Sequence, residues 1–256
     1  MNKRKLILLA RNGASTRLLY NSLKNDFEIG AIIVEKPVSA KEFIKKRVKK
    51  LGLAKVAGQV LFQFSIARIL RLISAKRIKE ILNVYELEDT PMPAEKIIRL
   101  NSVNDNECLL LLKEINPEVV IVNGTRIISK AILNSIPAKF VNIHAGITPK
   151  YRNVHGAYWA LVNNDPENCG VTVHLVDAGI DTGNIIYQKK IPVSSRDNFV
   201  TYPFLQLAEG IILLKKALLD IVANRVKFQK NDLESKVWYH PTIWQYIFYR
   251  IVHNKK

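Results

Sequence analysis

A chain of 256 residues with 48% apolar side chains has enough apolar surface for one large packed core, which excludes an intrinsically disordered or low-complexity protein. Its formal net charge of +17 attracts phosphate-bearing partners (nucleotides, nucleic acid, an anionic membrane face) without choosing among them, and ordinary solvated lysine faces account for it equally well. The two cysteines, Cys108 and Cys169, fall in no CxxC or metal-ligand spacing, which excludes a disulfide framework and a structural zinc site and fits a reducing cytoplasm.

The start, Met1-Asn2-Lys3-Arg4-Lys5, is basic, but the apolar run behind it is too short for a signal peptide. Residues 5–10 (KLILLA) read as a buried first strand. Asn12-Gly13 makes a turn, and Ser15 is placed to cap a helix running to about Leu23. Residues 29–34 (IGAIIV) read as a second strand, so the chain opens like a doubly wound α/β sheet. Residues 38–85 break that rhythm. Segments 41–50 and 60–81 carry apolar residues at helical spacing. Between Lys41 and Lys79 stand 12 basic residues and one acid, Glu42, so this is a helical insertion with a basic face. Phe43 within it reads as core-facing. The apolar region 60–73 is interrupted by Gln63, Arg68 and Arg71, whereas a membrane span needs about 20 apolar residues, so no span is expected.

The α/β pattern resumes after Pro91. Residues 107–115 read as a helix ended by Asn116-Pro117. Residues 119–122 (VVIV) form a fully apolar, β-branched strand, as at the centre of a parallel sheet. A strand follows at 140–144, a helix at 157–162, a strand at 171–176 and its partner at 184–193. Residues 204–223 make a long amphipathic helix. The tail, 237–252, is rich in Trp, Tyr and Ile. Its 238–244 segment can cover the core, form a dimer contact, close over a substrate or touch a membrane surface. No internal repeat is visible. The boundaries are one α/β domain over 1–226, with the insertion at 38–85, and a tail at 227–256 that packs on it.

The charge is unevenly spread. Residues 1–100 carry 21 Lys and Arg against 9 Asp and Glu; residues 101–200 carry 9 of each; residues 201–256 carry 9 against 4. The polar groups with chemical promise sit in the balanced middle. Asn142 and His144, two apart at the end of a strand, share one face, and the carboxyl ends of strands line the ligand crevice of open α/β sheets. Pro149-Lys150-Tyr151-Arg152 makes a turn. Asp177-Ala178-Gly179-Ile180-Asp181-Thr182-Gly183 is a loop whose glycines let backbone approach a flat ligand. Amide, imidazole and carboxylate suit acyl transfer to an amine: the amide steadies charge on a carbonyl oxygen, the imidazole assists proton transfer, and the carboxylate holds the imidazole. With no Ser or Cys nucleophile in the motif, direct transfer is expected rather than an acyl-enzyme. On spacing alone, a polar turn beside a hydrogen-bonded histidine remains the alternative.

The stretch FVNIHAGITPKYR at 140–152, followed by GVTVHLVDAGIDTGNII at 170–186, resembles the folate-dependent formyltransferases. That family includes glycinamide ribonucleotide, methionyl-tRNA and sugar N-formyltransferases. The resemblance spans roughly 117–193 and is weaker over the first strands. It implies a Rossmann-like, mostly parallel sheet with 10-formyltetrahydrofolate as formyl donor and no metal. It places the catalytic residues at Asn142, His144 and Asp181, and the folate pocket at Arg126, Ile127 and Ile128, with Asp177 and Gly179 in a second wall. Two departures concern the acceptor side: Ala145-Gly146-Ile147-Thr148 follows the histidine, and Asn153 stands where the family usually has glycine after Tyr-Arg.

The substrate side is assigned to Asn12, Gly13, Tyr151, Arg152 and His155, with the turn at residues 11–15 a weak phosphate cradle. His174, mid-strand, reads as structural. Only some 60–70 residues follow the last motif strand, and the basic segment lacks interleaved aromatics, so nucleic acid is not expected as a partner. The expected acceptor is a nucleotide-linked amino sugar, in a cytoplasmic enzyme able to form a homodimer. The alternatives are glycinamide ribonucleotide, water (a formyltetrahydrofolate hydrolase), and a basic binding protein without catalysis.

Overall fold

The computed structural model describes residues 6–252, so the basic start and Lys5 of the expected first strand lie outside the described residues. Strand β1 (Leu6–Arg11) has no polar face. Leu6 and Leu8 enter one apolar layer and Ile7 and Leu9 the other, all buried. That is the pattern of a strand covered on both sides by helices. Helix α1 (Ala14–Leu23) follows, with Gly13 at its N-cap and no side-chain cap, so Ser15 lies inside the helix rather than capping it. Strand β2 (Ile29–Glu35) pairs parallel to β1.

The insertion forms four short helices: α2 (Ala40–Leu51), α3 (Leu53–Phe64), α4 (Ile66–Ile73) and α5 (Ala75–Val84). The single long helix expected over 60–81 is broken twice. At Ser65 the backbone leaves the helical region (φ −110°, ψ −86°) and the hydroxyl donates to the Leu61 carbonyl; Ser74 makes the second break. Serine side chains compete for helix carbonyls in this way. Phe43 does not face the core: it is half exposed, with Arg47 over its ring. The apolar stretch is also longer than its sequence reading. Residues 53–73 reach a mean hydropathy of 1.4 over a span-length window, little of it buried.

After the insertion come β3 (Ile97–Leu100), α6 (Asn106–Ile115), β4 (Val119–Asn123), the short helix α7 (Lys130–Leu133) and β5 (Lys139–His144). Strand β3 carries no sequence signal beyond four residues beside Lys96 and Arg99; its pairing with β2 identifies it. Next are β6 (Arg152–Asn153), α8 (Gly156–Val162), β7 (Gly170–Leu175), β8 (Ile185–Lys190), α9 (Tyr202–Val222), β9 (Val237–Trp238) and α10 (Ile243–Val252). The seven-stranded sheet runs β3-β2-β1-β4-β5-β7-β8, with the first five strands parallel, β7 antiparallel to β5 and β8 antiparallel to β7, so the α/β expectation of a mostly parallel sheet holds. Helices α1 and α9 cover one face through Leu18, Leu19, Ile211 and Leu214, and α6 covers the other through Cys108 and Leu112. A third, aromatic cluster (Phe62, Tyr158, Trp159, Phe199, Tyr246) joins α3, α8 and α10. Full burial of such side chains stabilises by roughly 1.5–3 kcal/mol each.

Candidate active site

Strands β1, β4 and β5 end on the same edge because they are parallel, and that edge carries Arg11, Asn123 and His144. Strand β7 runs the other way beside β5 and pairs His174 directly opposite Asn142. Directly opposed side chains share a face, and here they bond: Asn142 Nδ2 lies 3.2 Å from His174 Nε2. The other nitrogen of His174, Nδ1, faces the Leu175 carbonyl at 2.8 Å. A carbonyl only accepts, so Nδ1 carries the hydrogen and Nε2 accepts from the Asn142 amide.

The loop after β5 folds back on itself so tightly that side chains are excluded. A methyl group on Gly146 would strike the Tyr151 carbonyl oxygen and stand 2.8 Å from His144 Nε2. Glycine there lets the Tyr151 carbonyl reach that nitrogen at 2.7 Å. The loop is pinned from β7 as well, since Thr172 Oγ donates to the Gly146 carbonyl at 2.7 Å and accepts from the Thr148 amide.

Asp181 arrives from the β7–β8 loop. Its Oδ2 stands 3.2 Å from His144 Nδ1 and accepts from the Asn153 amide at 2.9 Å; its Oδ1 stands 3.6 Å from His174 Nε2. Asp181 and Asn153 both adopt positive φ, 50° and 80°. Asn is among the few non-glycine residues that tolerate this region, which explains how it stands where the resembling family usually has glycine.

The His144 ring therefore lies between two groups that only accept, the Tyr151 carbonyl and the Asp181 carboxylate. Nε2 keeps a hydrogen for the carbonyl, and Nδ1 offers a proton position facing a negative charge. Burial pulls the ring below its ordinary value, opposed by Asp181 and the Tyr151 carbonyl. Burial works to raise the Asp181 carboxyl, but His144 and the Asn153 amide oppose it, and the carboxyl is held down to about 2. The carboxylate is thus ionised at any working pH, and the pair can take up one proton between them.

These groups open into a cleft of about 440 Å³ lined by Asn142, His144, His174, Asn153, the segment 123–128 and the loop carrying Asp177, Gly179 and Asp181. Each expected folate residue lies along it, in different ways. Arg126 is tied to Glu35, its Nε 2.6 Å from the carboxylate and its backbone amide donating to Oε1 at 2.7 Å. Ile127 is half exposed, whereas Ile128 turns into the core. Asp177 accepts from the Gly179 amide and the Thr182 hydroxyl, which shapes the loop. Among the described residues no group of three or more His, Cys, Asp or Glu could hold a metal ion. Cys108 and Cys169 are free and buried, and burial pushes each thiol up to about 12.

The expected substrate residues scatter. Tyr151 is fully buried, stacks on Trp238 and donates to Asp165, so its ring belongs to the core rather than the cleft. Arg152 donates to the Ile180 carbonyl and steadies the Asp181 loop. His155 points to the tail, its Nε2 2.8 Å from His240 Nδ1 and its ring against Phe199. Asn12 and Gly13 line neither cavity; the residues after them, Ala14 and Ser15 of α1, line a second, mostly apolar pocket of about 250 Å³ with Leu18 and Phe204, which shares Asn123, Ile143 and Ala145 with the first cleft. His174 was the site member least visible in the sequence. The one signal for it is its place two residues before the Val176-Asp177 turn, on the strand facing Asn142.

Residues 45–205, well over half of the chain, match the formyl transferase family. A methionyl-tRNA formyltransferase of Kosmotoga olearia is 33% identical over 148 residues, which is 57% of this chain and 47% of that protein, so the chain spans about half the length of such a relative. Among solved structures, glycinamide ribonucleotide transformylase 1 of Symbiobacterium toebii superposes with a TM-score of 0.57 at 16% identity, covering 93% of this chain and 94% of its own. The N-formyltransferase of Helicobacter canadensis, in complex with folinic acid and dTDP-3-aminofucose, superposes with a TM-score of 0.52 at 22% identity, covering 93% of this chain and 71% of its own. With the sheet, the motif residues and the family match in agreement, this chain belongs to the formyl transferase family.

Proposed function

We propose that this chain transfers a formyl group from 10-formyltetrahydrofolate to an amine, and that the amine belongs to a nucleotide-linked amino sugar. The observation that carries the transfer is the His144 ring held between the Asp181 carboxylate and the Tyr151 carbonyl, with the Asn142 amide beside it in one cleft. A flat pterin suits that cleft, because two loop segments, at 123–128 and 177–181, line it with glycine and isoleucine beside the polar groups, Gly124, Ile127 and Gly179 among them. In this reading Arg126, Ile127, Ile128, Asp177 and Gly179 shape the folate side.

A neutral amine attacks the formyl carbon. The new C–N bond forms, the bond from that carbon to the folate nitrogen breaks, and one proton passes from the amine to the leaving nitrogen. The second hydrogen of Asn142 Nδ2 meets the carbonyl oxygen as it gains charge. The His144–Asp181 pair holds the proton in transit, and Asp181 stays ionised so that the charged ring is favoured when it forms. Residues 1–226 act as the catalytic domain and 227–256 as a tail that braces the loop carrying Asn153.

The sugar-nucleotide acceptor is supported by the second, mostly apolar pocket at the start of α1, which adjoins the folate cleft at Asn123, Ile143 and Ala145 and offers a second binding surface. It is also supported by the likeness to an enzyme crystallised with dTDP-3-aminofucose. The 33% identity to a methionyl-tRNA formyltransferase favours methionyl-tRNA as the second reading. The deciding experiment incubates the chain and the formyl folate with a panel of amino-sugar nucleotides, glycinamide ribonucleotide and methionyl-tRNA, and reads product mass. One formyl group gained by an amino-sugar nucleotide alone is the expected result. Formylation of the tRNA alone, or folate turnover with no amine present, overturns the acceptor; no turnover with any arm overturns the transfer.

A further inference from the structure

Fourteen of the 20 large apolar side chains exposed among the described residues lie on five helices, nine on α2 to α5 and five on α10. These helices form one group, because α3 packs on α2, α4 and α10, and the Trp244 indole of α10 lies against Gly58 of α3. The exposed residues follow helical spacing. Leu61 and Phe64 stand three apart on α3; Ile69, Leu72 and Ile73 lie on one face of α4; Trp244, Ile247 and Ile251 run along α10. Such spacing normally marks a face turned to a core, yet Phe64 is 77% exposed and Leu72 is 72% exposed. The opposite faces are already used: Val56, Gln59 and Phe62 of α3 and Tyr246 of α10 are buried in the domain. Exposed cations interleave with the apolar residues, among them Lys55 on α3 and Arg68 and Arg71 on α4.

We propose that this face seats the protein on an anionic phospholipid bilayer, with the exposed rows of α3, α4 and α10 in the interfacial layer and the flanking Lys and Arg on the lipid phosphates. The charge decides among occupants. Between Lys41 and Lys79 there are 12 basic residues to one acid. A second copy of this chain would bring like charges together, and interface cores are depleted in such charges. A nucleic acid would meet the cations but leave the aliphatic rows in water. An anionic bilayer offers a phosphate layer and an acyl layer a few ångströms apart, and a basic amphipathic helix reads both. The helices lie on the surface rather than span it: α3 and α4 break at Ser65, and Gln59 on the inner face of α3 donates to the His240 carbonyl at 2.7 Å. The inference goes beyond the catalytic reading and holds for any acceptor amine.

The test is flotation of the purified full chain with vesicles of equal parts phosphatidylglycerol and phosphatidylcholine, and with phosphatidylcholine alone. Binding is expected to the anionic vesicles and to weaken with added salt. The triple variant Leu61→Glu, Phe64→Glu, Leu72→Glu should lower the partition coefficient at least about tenfold, while Leu219→Glu, an exposed site on α9, should leave it unchanged. Should the triple variant fail to fold by circular dichroism, quenching of wild-type fluorescence by nitroxide-labelled lipid, lost in Trp244→Phe, reads the same contact. Equal binding by wild type and a folded triple variant, an absence of Trp244 quenching, or a dimer that these substitutions dissociate with no vesicle binding, each overturns the proposal.

Discussion

His144 is the residue on which the site turns, because both of its nitrogens are committed to acceptors. Replacing it with alanine removes the group proposed to carry the proton and leaves the buried Asp181 without its main partner. We expect formyl transfer to fall by about 10²- to 10⁴-fold in kcat, the usual range for a general acid or base, read by single-turnover product mass. Asn142→Ala should cost about 10²-fold or more if its amide meets the developing charge, with little change in binding of the formyl donor. An unchanged kcat in that variant removes Asn142 from the chemistry. Glu35 acts one step further out. Its buried carboxylate holds the Arg126 guanidinium, the Arg126 amide and the Val103 amide. Glu35→Gln should therefore raise KM for the folate and spare kcat, whereas a fall in kcat at constant KM would place Glu35 with the catalytic groups instead. Asn142 and His144 were legible as a polar pair at a strand end and Asp181 as an acid in a loop with two glycines, and the resemblance to the formyltransferases joined the three. His174 was not, since a histidine in an otherwise apolar strand looks the same whether it faces a core or a cleft, and only the β5–β7 register separates the two.

At the scale of elements, helix α9 is long enough to have been read from its period, but its seat on the sheet depends on one residue. Gly210 lies so close to Ile143 that any side chain would meet the Ile143 methyl. Gly210→Val should force α9 away from β5 and β7 and lower stability by roughly 1–3 kcal/mol, the usual range for overpacking, read by urea denaturation. Because Ile143 lies between Asn142 and His144, activity should fall at the same time. The insertion shows the opposite case. Its helices were legible as apolar periods, but their ends at Ser65 and Ser74 were not, because a serine inside a helical period gives no sign of whether its hydroxyl will draw the chain out of the helix. Phe43 was misread for a related reason: a period says which residues share a face and nothing about what that face meets.

At the scale of the molecule, the tail, the insertion and the site loop meet at two histidines. His240 Nδ1 accepts from the Gln63 Nε2 amide of α3 at 3.0 Å, and His155 Nε2 lies 2.8 Å from the same nitrogen. Burial first, then Arg47, pulls His240 down to about 4, and burial holds His155 well below its ordinary value. Both rings are therefore neutral in the fold and readily protonated in the unfolded chain, where a histidine titrates near 6.5. The unfolded state binds more protons throughout that interval, so stability is complete above about pH 6.5 and declines as the pH drops toward 4. For His240 alone the full loss is roughly 3 kcal/mol. Thermal melting between pH 7 and 4 should show the decline, and His240→Gln should flatten it; a melting temperature constant over this range would mean the rings are not held neutral.

The sequence alone determined the α/β class, six strands of the sheet, the long helix α9 and the two halves of the polar motif, because apolar periods of two and of three to four are written residue by residue; β3, α7 and the breaks within the insertion lay beyond it. It also placed Asp181 within a loop, between Gly179 and Gly183. What the tertiary structure decided were the relations between distant segments: His174 against Asn142, Tyr151 in the core rather than the cleft, His155 turned to the tail, and the apolar rows of the insertion facing outward. Each of these depends on strand register or helix rotation, and those are fixed by the summed packing of the whole chain rather than by any local pattern.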